Sequence, residues 1–331
     1  MVHPIGTITL QSNQTVYVAP GAIVKGTFKT AIGANNVKIM GRGIITGKGA
    51  NQPFLVSLRN TTNSTVEGVT LVESNNWTLP VFGGSGSVID GIKIVTFNHT
   101  ADGIDIVGAQ SINIKNCFIM TKDDCIAIKS GAYYQEEDKN ILLPLVNGAV
   151  NNVTIQDCVI FNGIDGNALE IGCELNNNVS NVTFNNISII HALCPCSQDE
   201  GVLSINNHGN FKVSNVIYRN IYVEDMQRYF LNIKVQKSIF SPGGSEYKYG
   251  SANHTFGYVE NVNYENIYLI KTDAVHSAFI SDGGSRISGI KFKNLKINNL
   301  PISNYSTNWD DRYSNQLVLV LNGASVVTPF P

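Results

Sequence analysis

An eight-residue phrase recurs along this chain: an apolar residue, then others two, five and seven positions on, with Asn or Asp at the fourth step. It reads as Ile112/Ile114/Cys117/Ile119, Val153/Ile155/Cys158/Ile160, Val182/Phe184/Ile187/Ile189, Val216/Tyr218/Ile221/Val223, Val262/Tyr264/Ile267/Leu269 and Ile290/Phe292/Leu295/Ile297. Weaker copies stand at Ser64/Val66/Val69/Leu71 and Ser87/Ile89/Ile92/Ile94. Apolar alternation with period two marks short strands with one buried face, and the phase break at the polar pair marks a bend between two of them. Another short strand follows most units, at residues 103–106, 125–128, 168–171, 202–205, 230–233 and 278–280. No segment carries a helical period with caps. Such units, recurring every 20 to 45 residues or so, predict an all-β chain wound as a right-handed parallel β-helix of about ten coils, with loops of variable length bulging from it.

A solenoid grows by adding coils, so 331 residues fit one elongated domain, residues 1–331. The first strands begin almost at once, in Thr7-Ile8-Thr9-Leu10 and Thr15-Val16-Tyr17-Val18, with no signal peptide and no cap for the first coil. A preceding signal, cap, domain or partner is therefore expected in the native protein. Only 15% of residues are charged and the formal net charge is −2, which leaves no basic stripe for nucleic acid. No apolar run approaches the roughly 20 residues of a membrane span.

Asn-X-Ser/Thr occurs at Asn13, Asn60, Asn63, Asn76, Asn98, Asn152, Asn178, Asn181, Asn186, Asn253 and Asn304, against about five expected by chance from this composition. These sequons point to a secreted glycoprotein, with accidental matches in an Asn-rich β-helix as the plainer reading. Six cysteines also suit an oxidising compartment. Cys117 and Cys158 fall on core positions of the repeat; Cys125, Cys173, Cys194 and Cys196 are the disulfide candidates.

The chemistry concentrates in Thr100-Ala101-Asp102-Gly103-Ile104-Asp105 and Thr121-Lys122-Asp123-Asp124-Cys125-Ile126. Asp102 and Asp123 are 21 residues apart, about one coil, so stacking gathers Asp102, Asp123 and Asp124 on one face. Crowded carboxylates are costly unless some hold protons, and glycosidic hydrolysis uses that splitting of pKa values. An inverting pair needs about 6.5 to 9.5 Å between acid and base, which sets the expected geometry.

With Val16-Tyr17-Val18-Ala19-Pro20-Gly21-Ala22 and Gly41-Arg42-Gly43 upstream, these segments resemble the polygalacturonases, glycoside hydrolase family 28, over most of the chain. The resemblance implies a pectin-lyase-like solenoid and inverting hydrolysis, with Asp123 as the acid of raised pKa and Asp102 with Asp124 holding the water. It implies no cofactor and no metal. Two family segments differ here. Gly-His-Gly corresponds to Gly166-Asn167-Ala168, followed by Glu170, and Arg-Ile-Lys aligns with Ser204-Ile205-Asn206. Residues 165–194, Ile189-Ile190-His191 above all, look more like the dextranase and isopullulanase family, glycoside hydrolase family 49. With the family's cations replaced, a neutral or non-galacturonan polysaccharide or oligosaccharide becomes the expected substrate. Asp105, Lys129, Asn167, Glu170, His208 and Tyr133 are the substrate-binding candidates, Tyr133 within an insertion at residues 131–148. Lys234 is a further cation within reach of the groove. Two other functions stay open on sequence alone. One is a catalytically silent β-helix serving as a glycan-binding or structural surface glycoprotein; the other is a polysaccharide lyase, which needs a Lys or Arg base.

Overall fold

The computed structural model describes residues 1–49, 53–135, 142–146, 148–193, 201–227, 229–239, 241, 254–270, 275–307 and 317–326. Of residues 132–135, 142–146 and 275 only the backbone is described. Among the described residues there is no α-helix, and none is long and apolar enough to cross a membrane.

The chain winds as a right-handed parallel β-helix. One stack runs from Thr15–Val18 through Lys38–Gly41, Thr65–Glu67, Val88–Asp90, Gln110–Lys115, Val150–Asn162, Val179–Ala192, Lys212–Val223, Tyr258–Leu269 and Ile287–Ile297 to Ala324–Val326. A second runs from Val2–Leu10 through Ile23–Thr30, Val56–Arg59, Leu79–Phe82, Ile104–Val107, Ile126–Lys129, Leu169–Cys173, Gly201–Asn207, Tyr229–Val235 and Val275–Ser281 to Leu317–Asn322. Every rung of both is parallel to the next.

The repeat explains the stacking. Ile114, Ile155, Phe184, Tyr218, Tyr264 and Phe292 form one buried column, each in register with the next or on the adjacent coil. From Phe184 to Phe292 the rings stack, with centroids 4.8 to 5.2 Å apart. A single coil cannot bury these faces; neighbouring coils bury them for each other. Cys117 and Cys158 sit in this core, as their positions in the repeat predict.

The expected bend at the polar pair takes a different form. In Val150–Asn162, Val179–Ala192, Lys212–Val223, Tyr258–Leu269 and Ile287–Ile297 the strand runs on through the corner. At this corner of those coils one residue, Asp157, Asn186, Asn220, Asn266 or Asn294, adopts a left-handed conformation with φ between 53° and 55°, turning the chain without breaking the ladder, whereas Asn116, with φ 57°, stands between the separate strands Gln110–Lys115 and Phe118–Thr121. Asparagine tolerates that conformation, and its amide bonds to the coil below: Asn266 Nδ2 donates to Asn220 Oδ1 at 2.9 Å, and Asn294 Nδ2 to Asn266 Oδ1 at 2.9 Å. Asn266→Ala is expected to cost about 2 kcal/mol from strained φ and two lost hydrogen bonds, and Asn266→Gly about half of that. Urea unfolding midpoints measure both, and an unchanged midpoint for Asn266→Ala contradicts the ladder's role.

The ladder also touches the sequons. Asn98, Asn152, Asn181 and Asn186 donate through the amide nitrogen that a glycan would occupy, to Ser74, Ser111, Asn151 and Asp157. Asn253 lies outside the described residues.

Candidate active site

Register brings the carboxylates together. Ile104 pairs with Ile126, so Asp102 and Asp124, two residues before them, lie side by side on neighbouring coils, with Asp123 next to Asp124. Gly103 N donates to Asp124 O at 2.8 Å and Ile104 N to Cys125 O at 3.0 Å. A Cβ on Gly103 would stand 2.3 Å from Cys125 O, so only glycine lets the coils close at this point. One oxygen from each of Asp102, Asp123 and Asp124 lies within 4.8 Å of the others. The 6.5 to 9.5 Å of the two-carboxylate rule is measured between carboxyl groups, and these oxygens come closer than that because all three residues stand on two adjacent coils rather than on opposite walls of a cleft.

Each carboxylate has its own surroundings. Asp123 Oδ1 accepts from Asp124 N at 3.0 Å, and its carbonyl accepts from Thr121 Oγ1 and Asn162 Nδ2. Asp124 Oδ1 accepts two hydrogen bonds from Asn167, from N at 2.6 Å and Nδ2 at 3.0 Å. Asn167 Oδ1 in turn accepts from Gly201 N at 2.8 Å. Asp102 is buried, and its Oδ2 takes the Lys129 ammonium at 3.0 Å. Lys129 Nζ also lies 3.1 Å from Asp105 Oδ1 and 3.9 Å from Glu174 Oε2, and 3.9 Å from the centroid of the Trp77 ring.

Burial pushes Asp102 well above the usual carboxylate range, with Asp105, Asp124 and Asp123 adding to it and Lys129 opposing it. Burial and then the charge of Asp123 raise Asp124 to about 7. Glu170 is raised by burial and by Asp124. Burial alone would lower Lys129, but Asp102, Glu174, Asp105 and Asp124 outweigh it and keep the ammonium charged. A carboxyl that holds its proton more tightly folded than unfolded stabilises the fold below its unfolded pKa, near 3.8 for Asp124, and loses that contribution as pH rises through 7. Thermal stability is therefore expected to fall between pH 4 and 8. Asp124→Asn should flatten the dependence and raise stability at pH 8 by about 2 kcal/mol, allowing for the solvent that reaches this part-buried group. Melting curves at both pH values test this, and equal slopes in the two proteins would refute it.

The sequence matches the profile of glycosyl hydrolases family 28 over residues 8–237. The chain belongs to this family. A probable polygalacturonase of Vitis vinifera is 23% identical over 225 residues, 65% of this chain and 40% of that protein. A probable endopolygalacturonase D of Neosartorya fischeri is 23% identical over 241 residues, 72% of this chain and 42% of that protein. The chain thus spans about half or less of the length of these relatives. Among solved structures, the family 28 exopolygalacturonase of Yersinia enterocolitica superposes with a TM-score of 0.65 at 12% identity, covering 100% of this chain and 70% of that one. Dex49A from Penicillium minioluteum gives 0.66 at 16% identity, covering 95% and 55%. At such identities these structural likenesses establish the fold.

Around this carboxylate cluster, other candidates take varied places. Asp105 is fully buried beside Lys129. Lys129 does not face an open groove: its side chain is 5% exposed and its charge is shared among Asp102, Asp105 and Glu174. Glu170 is buried in register with Ser204 and then Asn232, on the C-terminal side of the trio. Asn232 Nδ2 donates to Ser204 Oγ at 2.9 Å and to Asn206 Oδ1 at 3.1 Å, so amides and hydroxyls stand where the resemblance implies cations. Lys234 is in register with Asn206, one coil further on. His208 is buried, with Gln236 at 3.5 Å and its carbonyl accepting from Ser241 Oγ. Tyr133 lies on Ala132–Gln135, which pairs antiparallel with Leu142–Val146; its side chain is outside the described residues.

The disulfide expectation is corrected for two cysteines. Cys125 and Cys173 are free thiols, while Cys194 and Cys196 lie outside the described residues. Cys125 is a core residue whose sulfur meets Thr121 Oγ1 at 2.9 Å, and burial pushes its thiol up to about 12. Sequence reasoning missed Trp77, Glu174 and the Asp165 cluster, in which Lys122 Nζ and His99 Nδ1 stand 3.1 and 3.2 Å from Asp165 Oδ2. Trp77 precedes Thr78, whose N donates to Asp102 O at 2.8 Å, which places the indole beside the cluster.

Proposed function

We propose that this chain hydrolyses glycosidic bonds of a polysaccharide by single displacement, with inversion at the anomeric carbon. The convergence of the three carboxylate oxygens within 4.8 Å carries the hydrolase part of this reading, and inversion is taken from the family's use of such a trio. A water making ordinary hydrogen bonds of about 2.8 Å bridges two oxygens at that separation, so Asp102 and Asp124 hold it between them. Its oxygen bonds to the anomeric carbon and its proton passes to that pair, while the bond to the leaving oxygen breaks and Asp123 protonates the departing oxygen.

We infer a neutral polymer as substrate. Lys129 is neutralised by its carboxylates, and Asn167, Ser204, Asn206 and Asn232 are uncharged, buried and bonded to Asp124 or to one another, so they supply no cation for a uronate. A uronate carboxylate would lose charge-assisted hydrogen bonds worth about 1.5 to 3 kcal/mol each. Lys234 is the observation that favours an acidic chain instead, since it lies beside Asn206. A polymer too large to cross a membrane is met outside the cell, so an extracellular place of action is part of this proposal.

Reducing-end release from dextran and from de-esterified polygalacturonate, with absorbance in the ultraviolet followed in parallel, tests both proposals. Release from dextran without unsaturated ends is expected, with at least about tenfold slower release from polygalacturonate. Faster polygalacturonate cleavage would refute the neutral-substrate reading, unsaturated ends would mark a lyase, and inertness on both would favour a silent β-helix.

A further inference from the structure

Lys129 has a more particular place than a residue of a polar groove. It sits on the strand Ile126–Lys129, on the same coil as Asp123 and Asp124, and points its ammonium back across one coil to Asp102 and Asp105. The Trp77 ring covers the ammonium at 3.9 Å to its centroid, and Phe54 stacks with that ring at 5.8 Å and 18°. Trp77 packs with Phe54, Phe82 and Val107 in a small apolar cluster separate from the main core. An indole over an ammonium attracts it through the ring's negative face and excludes water from it, which strengthens the ion pairs beneath. Asp105, fully buried, competes with Asp102 for the same cation.

We propose that Lys129, clamped under Trp77, is the positioning residue that aims Asp102 at the water and favours its ionised form as the acceptor of the water's proton, with Asp105 drawing on the same charge. This rests on the hydrolase reading above, and it divides the roles of Asp102 and Asp124 within the pair. Asp124 is oriented by the two Asn167 donors and has no such cation within hydrogen-bonding distance among the described residues; Asp102 has Lys129 directly on Oδ2. The charged and titratable groups facing Lys129 are Asp102, Asp105, Asp124, Glu174 and, further off, Glu170 and Cys173; Asp123 faces Asp102. All of these except the Cys173 thiol are carboxyls, so Lys129 is the cation that sets how the cluster shares its protons.

The arrangement makes two substitutions act in opposite directions. Lys129→Met removes the cation and makes ionisation of Asp102 harder. The acid limb of the kcat/KM profile should then move to higher pH by about one unit or more, and kcat should fall about 10²-fold. Asp105→Asn leaves Asp102 as the main claimant on Lys129, so the acid limb should move to lower pH. Lys129→Arg, which keeps the charge, should hold the limb within a few tenths of a pH unit of the wild type. A role limited to packing would lower activity without moving the limb in opposite senses.

The profiles are taken on whichever of dextran and polygalacturonate is cleaved. Carboxyl carbon NMR titrations of protein labelled at aspartate, on the same variants, give a readout that needs no turnover. Opposite displacements for Lys129→Met and Asp105→Asn support the assignment. Coincident titrations in wild type and folded Lys129→Met, or displacements of the same sign in both variants, overturn it. Should Lys129→Met fail to fold, Asp105→Asn alone decides by the sign of its displacement. Absence of turnover on both polymers would count against the hydrolase reading, and the NMR displacements would still decide the role of Lys129.

Discussion

Asp123→Asn is expected to lower kcat/KM by about 10³-fold or more while leaving the melting temperature within a degree or two. Asparagine keeps the shape of the side chain and an acceptor for the Asp124 N–H at Oδ1, so the local turn survives. What disappears is a group able to give a proton to the leaving oxygen. The loss should fall on kcat rather than KM, since the proton is transferred only as the bond breaks. A substrate panel assayed with wild type and variant in parallel provides the check. Retention of more than a tenth of the wild-type rate would remove Asp123 from the acid role.

Gly166→Ala is expected to damage the site nearly as much by a different route. Gly166 has a φ of +69°, and a Cβ there would stand 2.4 Å from Asp123 Oδ1, 2.4 Å from Asp124 N and 2.7 Å from Asp123 C. Two of those atoms belong to backbone, so the coil carrying both aspartates must shift rather than a flexible side-chain end. A left-handed alanine adds about 1 to 2 kcal/mol of strain. Misplacing catalytic groups by roughly 1 Å costs on the order of 10²-fold, so kcat should fall by about that factor with a stability loss of about 3 kcal/mol. Activity and chemical unfolding of the same preparation test this together. Wild-type kcat in a folded Gly166→Ala protein would show that the carboxylates are not held by the coil behind them.

Much of this was legible in the sequence, for a physical reason. A parallel β-helix repeats one covalent solution to burying a strand face, so periodic apolar positions reveal the coils, and residues one coil apart become neighbours. Asp102 and the Asp123-Asp124 pair could be placed on one face from spacing alone. Glu170, between Leu169 and Ile171, could be assigned to the outward face, although not its complete burial.

The corners were read less well. The phase break at Asp157 or Asn220 signals a turn, yet a left-handed residue turns the chain within a continuous ladder, so one long strand stands where two were expected, while the break at Asn116 does separate Gln110–Lys115 from Phe118–Thr121. Trp77 lies in Asn75-Asn76-Trp77-Thr78, which has no periodicity, and its contact with Lys129 depends on the register of three coils. The separation of the carboxylates depends on side-chain reach across two coils, which spacing along the chain does not fix. Lys129 looked available for sugar because its partners, Asp102 and Glu174, are 27 and 45 residues away in sequence.

The anomeric configuration of the first product bears most directly on the central claim, that water held between two of three converging carboxylates attacks the sugar. Proton NMR, recorded during the first minutes of hydrolysis and before the product equilibrates, reads it without interference from later steps. Single displacement gives a hemiacetal of inverted configuration and no covalent sugar–enzyme species. Retained configuration, to which the close carboxylate spacing would otherwise point, would mean that one aspartate attacks the sugar itself, and the assignment of Asp102 and Asp124 to the water would be contradicted.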